Sequence, residues 1–166
     1  KEVVLIPNFI AIAEEKNLYT QLIKKPASRQ AGKNLVITFV GELAMRKGVD
    51  LLIKTVRKSP EHFTYHIIGD GPMHDDVEKL IAFPNVHYHG FLEKQKVQKI
   101  MASSDILFVP SRAESFSLAC LEAMTYGLPI ISSKDIKMGL PSYVQRINKT
   151  GRSGEYIKMF NKIFLF

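Results

Sequence analysis

Short runs of apolar and β-branched residues recur along the chain and leave room between them for helices. Several runs are nearly continuous rather than alternating, which is typical of parallel strands that helices cover on both faces. The pattern predicts about six strands, at residues 3–6, 35–40, 65–68, 86–89, 106–109 and 129–132.

The segments between these strands have the spacing of helices. In residues 49–58 apolar side chains recur every three or four positions, and Pro60 then stops the helix. Further helices are predicted at residues 75–82, 94–102 and 117–126, and less clearly at 14–24, 142–147 and 155–164. Strands that alternate with helices predict a Rossmann-like α/β fold, with a parallel sheet between two helical layers.

Length and composition fit one folded unit. The chain has 166 residues, of which 46% are hydrophobic and 23% charged. These fractions are ordinary for a globular domain and argue against a disordered chain. We therefore interpret the chain as one domain, with a leading segment or linker at 1–33, a core at 34–133 and a C-terminal segment at 134–166 whose fold the pattern leaves open.

Charge and cysteine content narrow the choice of partners. The formal net charge is +7, which suits an anionic ligand or an anionic membrane surface. Nucleic acid is not predicted, because the basic residues are scattered and do not interleave with aromatics. Cys120 is the single cysteine, so a reducing cytoplasmic setting fits. No apolar run approaches the roughly 20 residues of a bilayer span, which leaves peripheral contact with the inner face of a membrane.

The strongest chemical signal is the segment 111–124, which follows the apolar strand at 106–109. Glu114 therefore lies in a loop at the carboxyl end of a strand, where open α/β sheets bind their ligands. The next helix begins near Ser115 or Ser117, and its free N–H groups and positive dipole end form a site for a phosphate.

Glu122 is the only carboxylate in that helix, and its neighbours are apolar almost all round. A helix of this kind is expected to be buried. A buried carboxylate is costly unless it is paired or hydrogen-bonded. Two kinds of partner stay open at this point: a lysine or backbone N–H within the protein, or the hydroxyl groups of a ligand.

Glu114 and Glu122 enclose seven residues, and the Ser-Phe-Ser-Leu between them closely resembles the E-G-F-G-L form of one glycosyltransferase family. That family is family 4 of the retaining enzymes with the GT-B fold, the glycosyl transferases group 1. Further segments resemble the same family in the same order, at residues 40–50, 68–72, 86–91 and 123–131. Ile-Pro-Asn at 6–8 resembles the segment that opens its C-terminal, donor-binding domain, so the chain looks like that half of a GT-B fold.

The resemblance implies roles in catalysis. Glu114 would hydrogen-bond hydroxyl groups of the donor sugar, and Lys47 would stabilise the departing diphosphate. The family commonly has an arginine where this chain has Glu42, and an inward-pointing acid there would repel a diphosphate. Arg46, which adjoins Lys47, is the natural substitute. The alternative is that Arg46 is a solvated loop residue and that Lys47 acts alone.

The resemblance also implies a nucleotide site. Glu122 would bind the ribose hydroxyls, and Ser117 would be tolerated in place of a family glycine only if its φ is not positive. The other implied donor-binding positions are Gly41, Phe91 and Leu92, the last two near the nucleobase, and Phe116, Ser117 and Leu118, whose N–H groups would hold the diphosphate. The donor would be a UDP- or GDP-linked sugar. No metal or other cofactor is implied, because cationic side chains and the helix end replace the divalent ion.

Two weaker candidates receive structural interpretations. His87 and His89 share one face of a strand, but no third ligand lies at a suitable spacing, so we interpret them as structural or surface residues. Cys120 lies in the apolar helix and is interpreted as a core residue rather than a nucleophile.

The leading interpretation is therefore the donor domain of a retaining hexosyltransferase, inactive by itself and partnered by an N-terminal acceptor-binding domain. Its acceptor would be a glycan or a lipid-linked saccharide. Two alternatives stay open: a non-catalytic donor-binding subunit of a split transferase, and a GT-B epimerase or phosphorylase. The motif that carries a phosphorylase's cofactor lysine is not found, and no G-x-G-x-x-G of a dinucleotide domain follows the first strand.

Overall fold

A computed structural model of the chain describes residues 35–113 and 117–132. The described strands are β1 (Val36–Val40), β2 (Thr64–Ile68), β3 (Val86–Tyr88), β4 (Ile106–Val109) and β5 (Ile130–Ser132). The α-helices are α1 (Val49–Lys58), α2 (His74–Glu78), α3 (Lys94–Ser103) and α4 (Leu118–Thr125), with short 3-10 helices η1 (Met45–Lys47) and η2 (Lys79–Ala82). The strand predicted at 3–6 and the helices predicted at 14–24, 142–147 and 155–164 lie outside the described residues.

The five described strands form one sheet in the order β3-β2-β1-β4-β5. All four pairings are parallel, and Ile37 of β1 lies opposite Tyr65 of β2 and Ile106 of β4. This arrangement confirms the predicted α/β class and the parallel sheet. The strand at 106–109 and the helix at 49–58 have the predicted bounds, and the bounds of the other described strands lie within one residue of the predicted ones.

Apolar side chains cover both faces of the sheet. On one face Ile37 and Ile67 pack with Leu52 of α1, and all three are fully buried. On the other face Leu107 packs with Met101 of α3, and these are also fully buried. Removing one such side chain from water contributes roughly 1.5–3 kcal/mol, so the two clusters fix a helix–sheet–helix order of layers.

One predicted helix is divided in the structure. Residues 75–82 were expected to form a single helix, but α2 ends at Glu78 and η2 continues to Ala82. The next residue, Phe83, is extended with ψ 122°. Pro84 explains this, because a proline disfavours the helical conformation in the residue before it. The chain therefore tightens and leaves the helix before it enters β3.

The prediction that α4 is buried on all sides is wrong. Only Cys120 and Ala123 of this helix are buried, one turn apart, while Leu118 is 51% exposed. A helix of eight residues at the edge of the described sheet contacts its neighbours through one narrow stripe, which is why its other apolar side chains stay partly exposed. The Cys120 side chain is buried within the second core cluster, as predicted for a core residue.

Candidate functional site

Backbone hydrogen bonds tie the loops together at the carboxyl ends of the first three strands. The Gly41 N–H donates to the Ile68 carbonyl at 3.0 Å, and the Gly69 N–H donates to the Gly90 carbonyl at 2.8 Å. Gly69 has φ 133°, and a Cβ there would lie 1.9 Å from the Gly41 carbonyl oxygen. The backbones therefore approach each other too closely for a side chain, and the predicted donor-binding residue Gly41 lies at this close contact.

The loop that carries Arg46 and Lys47 is seated against the loop that follows β4. Gly48 ends η1 in the left-handed conformation, with φ 71°. A Cβ at Gly48 would lie 2.0 Å from the Pro110 carbonyl oxygen. The Arg112 N–H donates to the Arg46 carbonyl at 2.9 Å. Two predicted catalytic residues are thus held beside the loop that leads to the third, Glu114, which itself lies outside the described residues.

Arg112 also bonds through its side chain. Its two terminal nitrogens donate to the two carboxylate oxygens of Asp50 at 2.6 and 2.7 Å, and one of them also donates to the Met45 carbonyl at 2.7 Å. The hydrogen bond from Arg112 lowers the pKa of Asp50, and the same bond raises the pKa of Arg112. The sequence interpretation missed this pair, since the partners are 62 positions apart.

The departure at Glu42 is resolved by an ion pair. The Arg46 guanidinium donates to the Glu42 carboxylate, four residues earlier, and both side chains are largely exposed. Glu42 therefore meets a cation within its own loop, which offsets its charge. Lys47 is partly buried, and its N–H donates to the Ala44 carbonyl at 3.0 Å.

The start of α4 has the conformation that the sequence interpretation required. Ser117 has φ −98°, so the glycine of the resembled family is not needed there. Its hydroxyl oxygen accepts the Cys120 N–H at 3.3 Å and caps the helix. Leu118, the first helical residue, projects its side chain toward solvent. Phe116, like Glu114, is outside the described residues.

Glu122 has a partner within the protein. Its carboxylate lies 3.7 Å from the ammonium group of Lys94, at the start of α3. The Glu122 side chain is 19% exposed rather than fully buried, so the expected burial is only partial. The lysine that was one of its two open partners is therefore present, and the carboxylate remains reachable from solvent.

The loop between β3 and α3 presents an aromatic side chain. Phe91 is 85% exposed, while Leu92 packs partly buried against the second core cluster. Leu92 therefore anchors this loop, and Phe91 offers an apolar face at the same edge of the sheet as Gly41. Both positions were predicted to lie near the nucleobase.

A third histidine, His66, lies beside His87 of β3 and His89, which directly follows β3. His66 lies opposite His87 in the β2–β3 register, and its Nδ1 is 2.8 Å from Nε2 of His89. Strand pairing thus supplies a neighbour that spacing along the chain does not reveal, but the three histidines do not form a group of potential metal ligands among the described residues. The structural interpretation still fits, since His66 and His89 are hydrogen-bonded to each other.

Acidification should destabilise the fold through His66. Burial, with His89 and His87 nearby, lowers its pKa to about 4 from the ordinary 6.5. Between these values the unfolded chain binds more protons than the folded one, so stability falls as the pH is lowered through that window. In urea unfolding at several pH values from about 5 to 6.5, His66→Gln should flatten the slope of unfolding free energy against pH.

The exposed His62 offers the control, because His62→Gln removes a histidine outside the cluster. It should leave the slope as in the unaltered chain. Equal slopes for the unaltered chain and His66→Gln would contradict the depressed pKa.

Residues 35–113 and 117–132 bear on two further kinds of feature, a metal site and a membrane span. One group of three potential metal ligands has its atoms within 4.8 Å of one another, at His74, Asp75 and Glu78. Such groups are common on surfaces, and the last two residues are exposed. None of the helices in these ranges has the length and apolar content that a bilayer crossing requires.

The parallel sheet, with the Arg46–Lys47 loop and the start of α4 at the carboxyl ends of its strands, defines an α/β protein of the Rossmann-like class. The chain belongs to the glycosyl transferases group 1 family, whose sequence model matches residues 34–157. Arabidopsis thaliana sulfoquinovosyl transferase SQD2 is 34% identical over 122 residues, which are 74% of this chain and 23% of that protein. A Klebsiella pneumoniae protein of the cps region is 33% identical, over 78% of this chain and 36% of its own. The chain thus spans about a third or less of these relatives.

Solved structures agree with the family. The lipopolysaccharide outer core galactosyltransferase WaaB, in its apo form, is 29% identical with a TM-score of 0.56, over 65% of this chain and 32% of that one. Anabaena HepE in complex with UDP-glucose is 21% identical with a TM-score of 0.54, over 89% of this chain and 43% of that one. At this identity the similarity to HepE shows the fold alone.

Proposed function

We propose that the chain binds the nucleoside diphosphate sugar donor of a retaining glycosyltransferase with the GT-B fold. In the whole protein, a hexose would pass from a UDP- or GDP-linked donor to a glycan or lipid-linked acceptor. One observation carries the proposal: the loop of Arg46 and Lys47 is bonded to the loop after β4. That contact lies at the edge of the sheet where α/β proteins bind their ligands.

The chemistry needs positive charge at this edge. Breaking the bond between the sugar and the diphosphate leaves negative charge on the departing phosphate, which a fixed cation stabilises. Lys47 would supply that cation, while the N–H groups of Phe116, Ser117 and Leu118 would hold the phosphates at the start of α4. Glu114 would bind hydroxyls of the donor sugar. On this proposal cationic groups take the place of a divalent metal ion.

Arg46 can join Lys47 without a large energetic loss. An exposed ion pair such as that of Arg46 with Glu42 contributes at most about 1 kcal/mol. A diphosphate carries more charge than one carboxylate, so it competes for the guanidinium when it is bound. The pair then acts as a resting position for Arg46, and the acid at Glu42 does not have to point into the site.

The nucleoside would lie between β3 and α4. Phe91 and Leu92 place backbone groups and an exposed ring where a nucleobase would sit, and an aromatic face can stack on a base. Glu122 would accept hydrogen bonds from the ribose hydroxyls. The ammonium group of Lys94 lies 3.7 Å from that carboxylate. Gly41 would let a phosphate or ribose approach the backbone closely.

The comparisons support a donor of this kind. SQD2 and WaaB are named as sugar transferases. Because the chain spans only about a third of its relatives, we place the acceptor site in a separate N-terminal domain. The chain alone is therefore expected to be inactive, and peripheral contact with the inner face of a membrane stays a prediction.

Titration with nucleotides tests the proposal directly. The chain is titrated calorimetrically with UDP, GDP and ADP and their sugar conjugates, first without metal and then with magnesium. Saturable binding of one base, with an affinity that magnesium does not change, is the expected result. Glu122→Gln should weaken that binding while the unfolding free energy changes little, because the carboxylate is only partly buried.

Two results would count against the proposal. Absence of binding by every nucleotide would remove donor binding from this chain. An unchanged dissociation constant in Glu122→Gln would remove the ribose role alone and leave the diphosphate site standing.

A further inference from the structure

We propose that Arg112 is a positioning residue, which fixes the Arg46–Lys47 loop relative to the loop after β4 so that Lys47 meets the diphosphate. The inference rests on the proposed function and adds a residue to it. Both the backbone and the side chain of Arg112 make hydrogen bonds. Its backbone N–H donates to the Arg46 carbonyl, and its guanidinium donates to the Asp50 carboxylate and the Met45 carbonyl.

These contacts surround the loop that they would hold. Met45 and Arg46 form the first two residues of η1, and Asp50 is in the first turn of α1. Lys47 and Gly48 lie between them. Arg112 therefore contacts the chain on both sides of Lys47, at three separate residues, and a shift of either loop would break charged hydrogen bonds of 2.6–2.7 Å.

The guanidinium of Arg112 is not itself placed to serve as the phosphate ligand. Both of its terminal nitrogens donate to the Asp50 carboxylate in the two-pronged geometry that arginine and carboxylate favour. The charge of Arg112 is thereby offset by Asp50, whose pKa the contact lowers so that it stays ionised. The cationic contribution to an anionic ligand is left to Lys47 and Arg46.

The backbone at Gly48 explains why the Arg46–Lys47 loop benefits from the Arg112 contacts. Gly48 approaches the Pro110 carbonyl so closely that no side chain fits between them, yet the glycine is the most flexible residue available for this position. Glycine alone does not hold a loop in one conformation. The Arg112 contacts supply that restraint, and misplacement of a catalytic group by about 1 Å can cost on the order of a hundredfold in rate.

The test compares a nucleoside diphosphate with its bare nucleoside. Arg112→Ala should weaken binding of UDP, or of whichever diphosphate binds best, by about tenfold, in keeping with the loss of one oriented ionic contact. Binding of the nucleoside should change less than about twofold. Arg112→Lys should restore little of the diphosphate affinity, because lysine retains the charge but cannot make the two parallel hydrogen bonds of a guanidinium. Recovery by lysine, or equal losses for both ligands, would overturn the inference.

A double variant separates positioning from direct contact. If Arg112 acts mainly through Lys47, then Arg112→Ala should cause a much smaller loss of diphosphate affinity in a Lys47→Ala background than in the unaltered chain. Additive losses would overturn the inference. Arg57→Ala is the control, since it removes an exposed arginine from α1, the helix that carries Asp50, and it should leave both affinities unchanged.

Hydrogen exchange keeps the inference testable even if no nucleotide binds, an outcome that would remove only the proposed function. In Arg112→Ala, the amides of residues 45–48 should exchange at least about tenfold faster, because their local opening becomes easier. The amides of β1 should be unaffected. Unchanged exchange at 45–48 would overturn the positioning role whatever the ligand titrations show.

Discussion

Gly48→Ala should destabilise the fold by several kcal/mol. Gly48 has φ 71°, and a Cβ would lie 2.0 Å from the Pro110 carbonyl oxygen. The left-handed conformation alone costs an ordinary residue about 1–3 kcal/mol. The clash adds to it, because backbone atoms cannot turn aside as a flexible side chain can. Urea unfolding measures the difference in free energy.

Gly127 provides a matched control for the conformational part of that effect. It has φ 61°, but a Cβ there would meet nothing within 4 Å. Gly127→Ala should therefore cost only about 1–2 kcal/mol, the ordinary penalty for a left-handed alanine. If the two variants lost equal stability, the close approach of Gly48 to Pro110 would not be a feature of the folded protein.

The strands and the first helix could be predicted because each is specified locally. The run at 106–109 is apolar at all four positions, and β4 is buried along its whole length. In α1 the buried positions Val49, Leu52, Ile53 and Val56 repeat at the helical spacing, which places them on one face. Near-continuous apolar strands separated by such helices leave few topologies besides a parallel sheet.

The contacts between loops could not be predicted in the same way. Asp50 and Arg112 are 62 positions apart, and each, read alone, is an ordinary charged residue near the end of a helix or strand. His66 and His89 meet because β2 and β3 are neighbours in a particular register. Such pairs depend on the strand order and the register together, and no pattern within one segment contains both.

The candidate site shows both situations. The family resemblance indicated Lys47 and Arg46, and the structure places them beside the loop that leads to Glu114. The ion pair of Arg46 with Glu42 joins oppositely charged residues only four positions apart in one loop, so the sequence could have suggested it. The partial exposure of Glu122 could not be foreseen, because an apolar composition does not show how much of a short helix its neighbours cover.

Lys47→Ala should weaken binding of the favoured nucleoside diphosphate by roughly ten- to a hundredfold and leave the bare nucleoside nearly unaffected. A hydrogen bond to a charged group contributes about 1.5–3 kcal/mol, and each 1.4 kcal/mol is a factor of about ten in affinity. The nucleoside lacks the phosphates that Lys47 would contact. Calorimetric titration of both ligands into both proteins gives the two ratios.

Lys54→Ala is the control that makes this comparison decisive. Lys54 is exposed on α1, and its removal lowers the formal net charge of +7 by the same single unit. A general attraction between a basic surface and an anionic ligand would therefore weaken equally in both variants. A loss confined to Lys47→Ala and to the diphosphate would assign the effect to a contact at this loop. Equal losses of affinity in the two variants would mean that only the net charge matters. Equal losses for the diphosphate and the nucleoside in Lys47→Ala would show that the loop had moved, and not that a phosphate ligand had been removed.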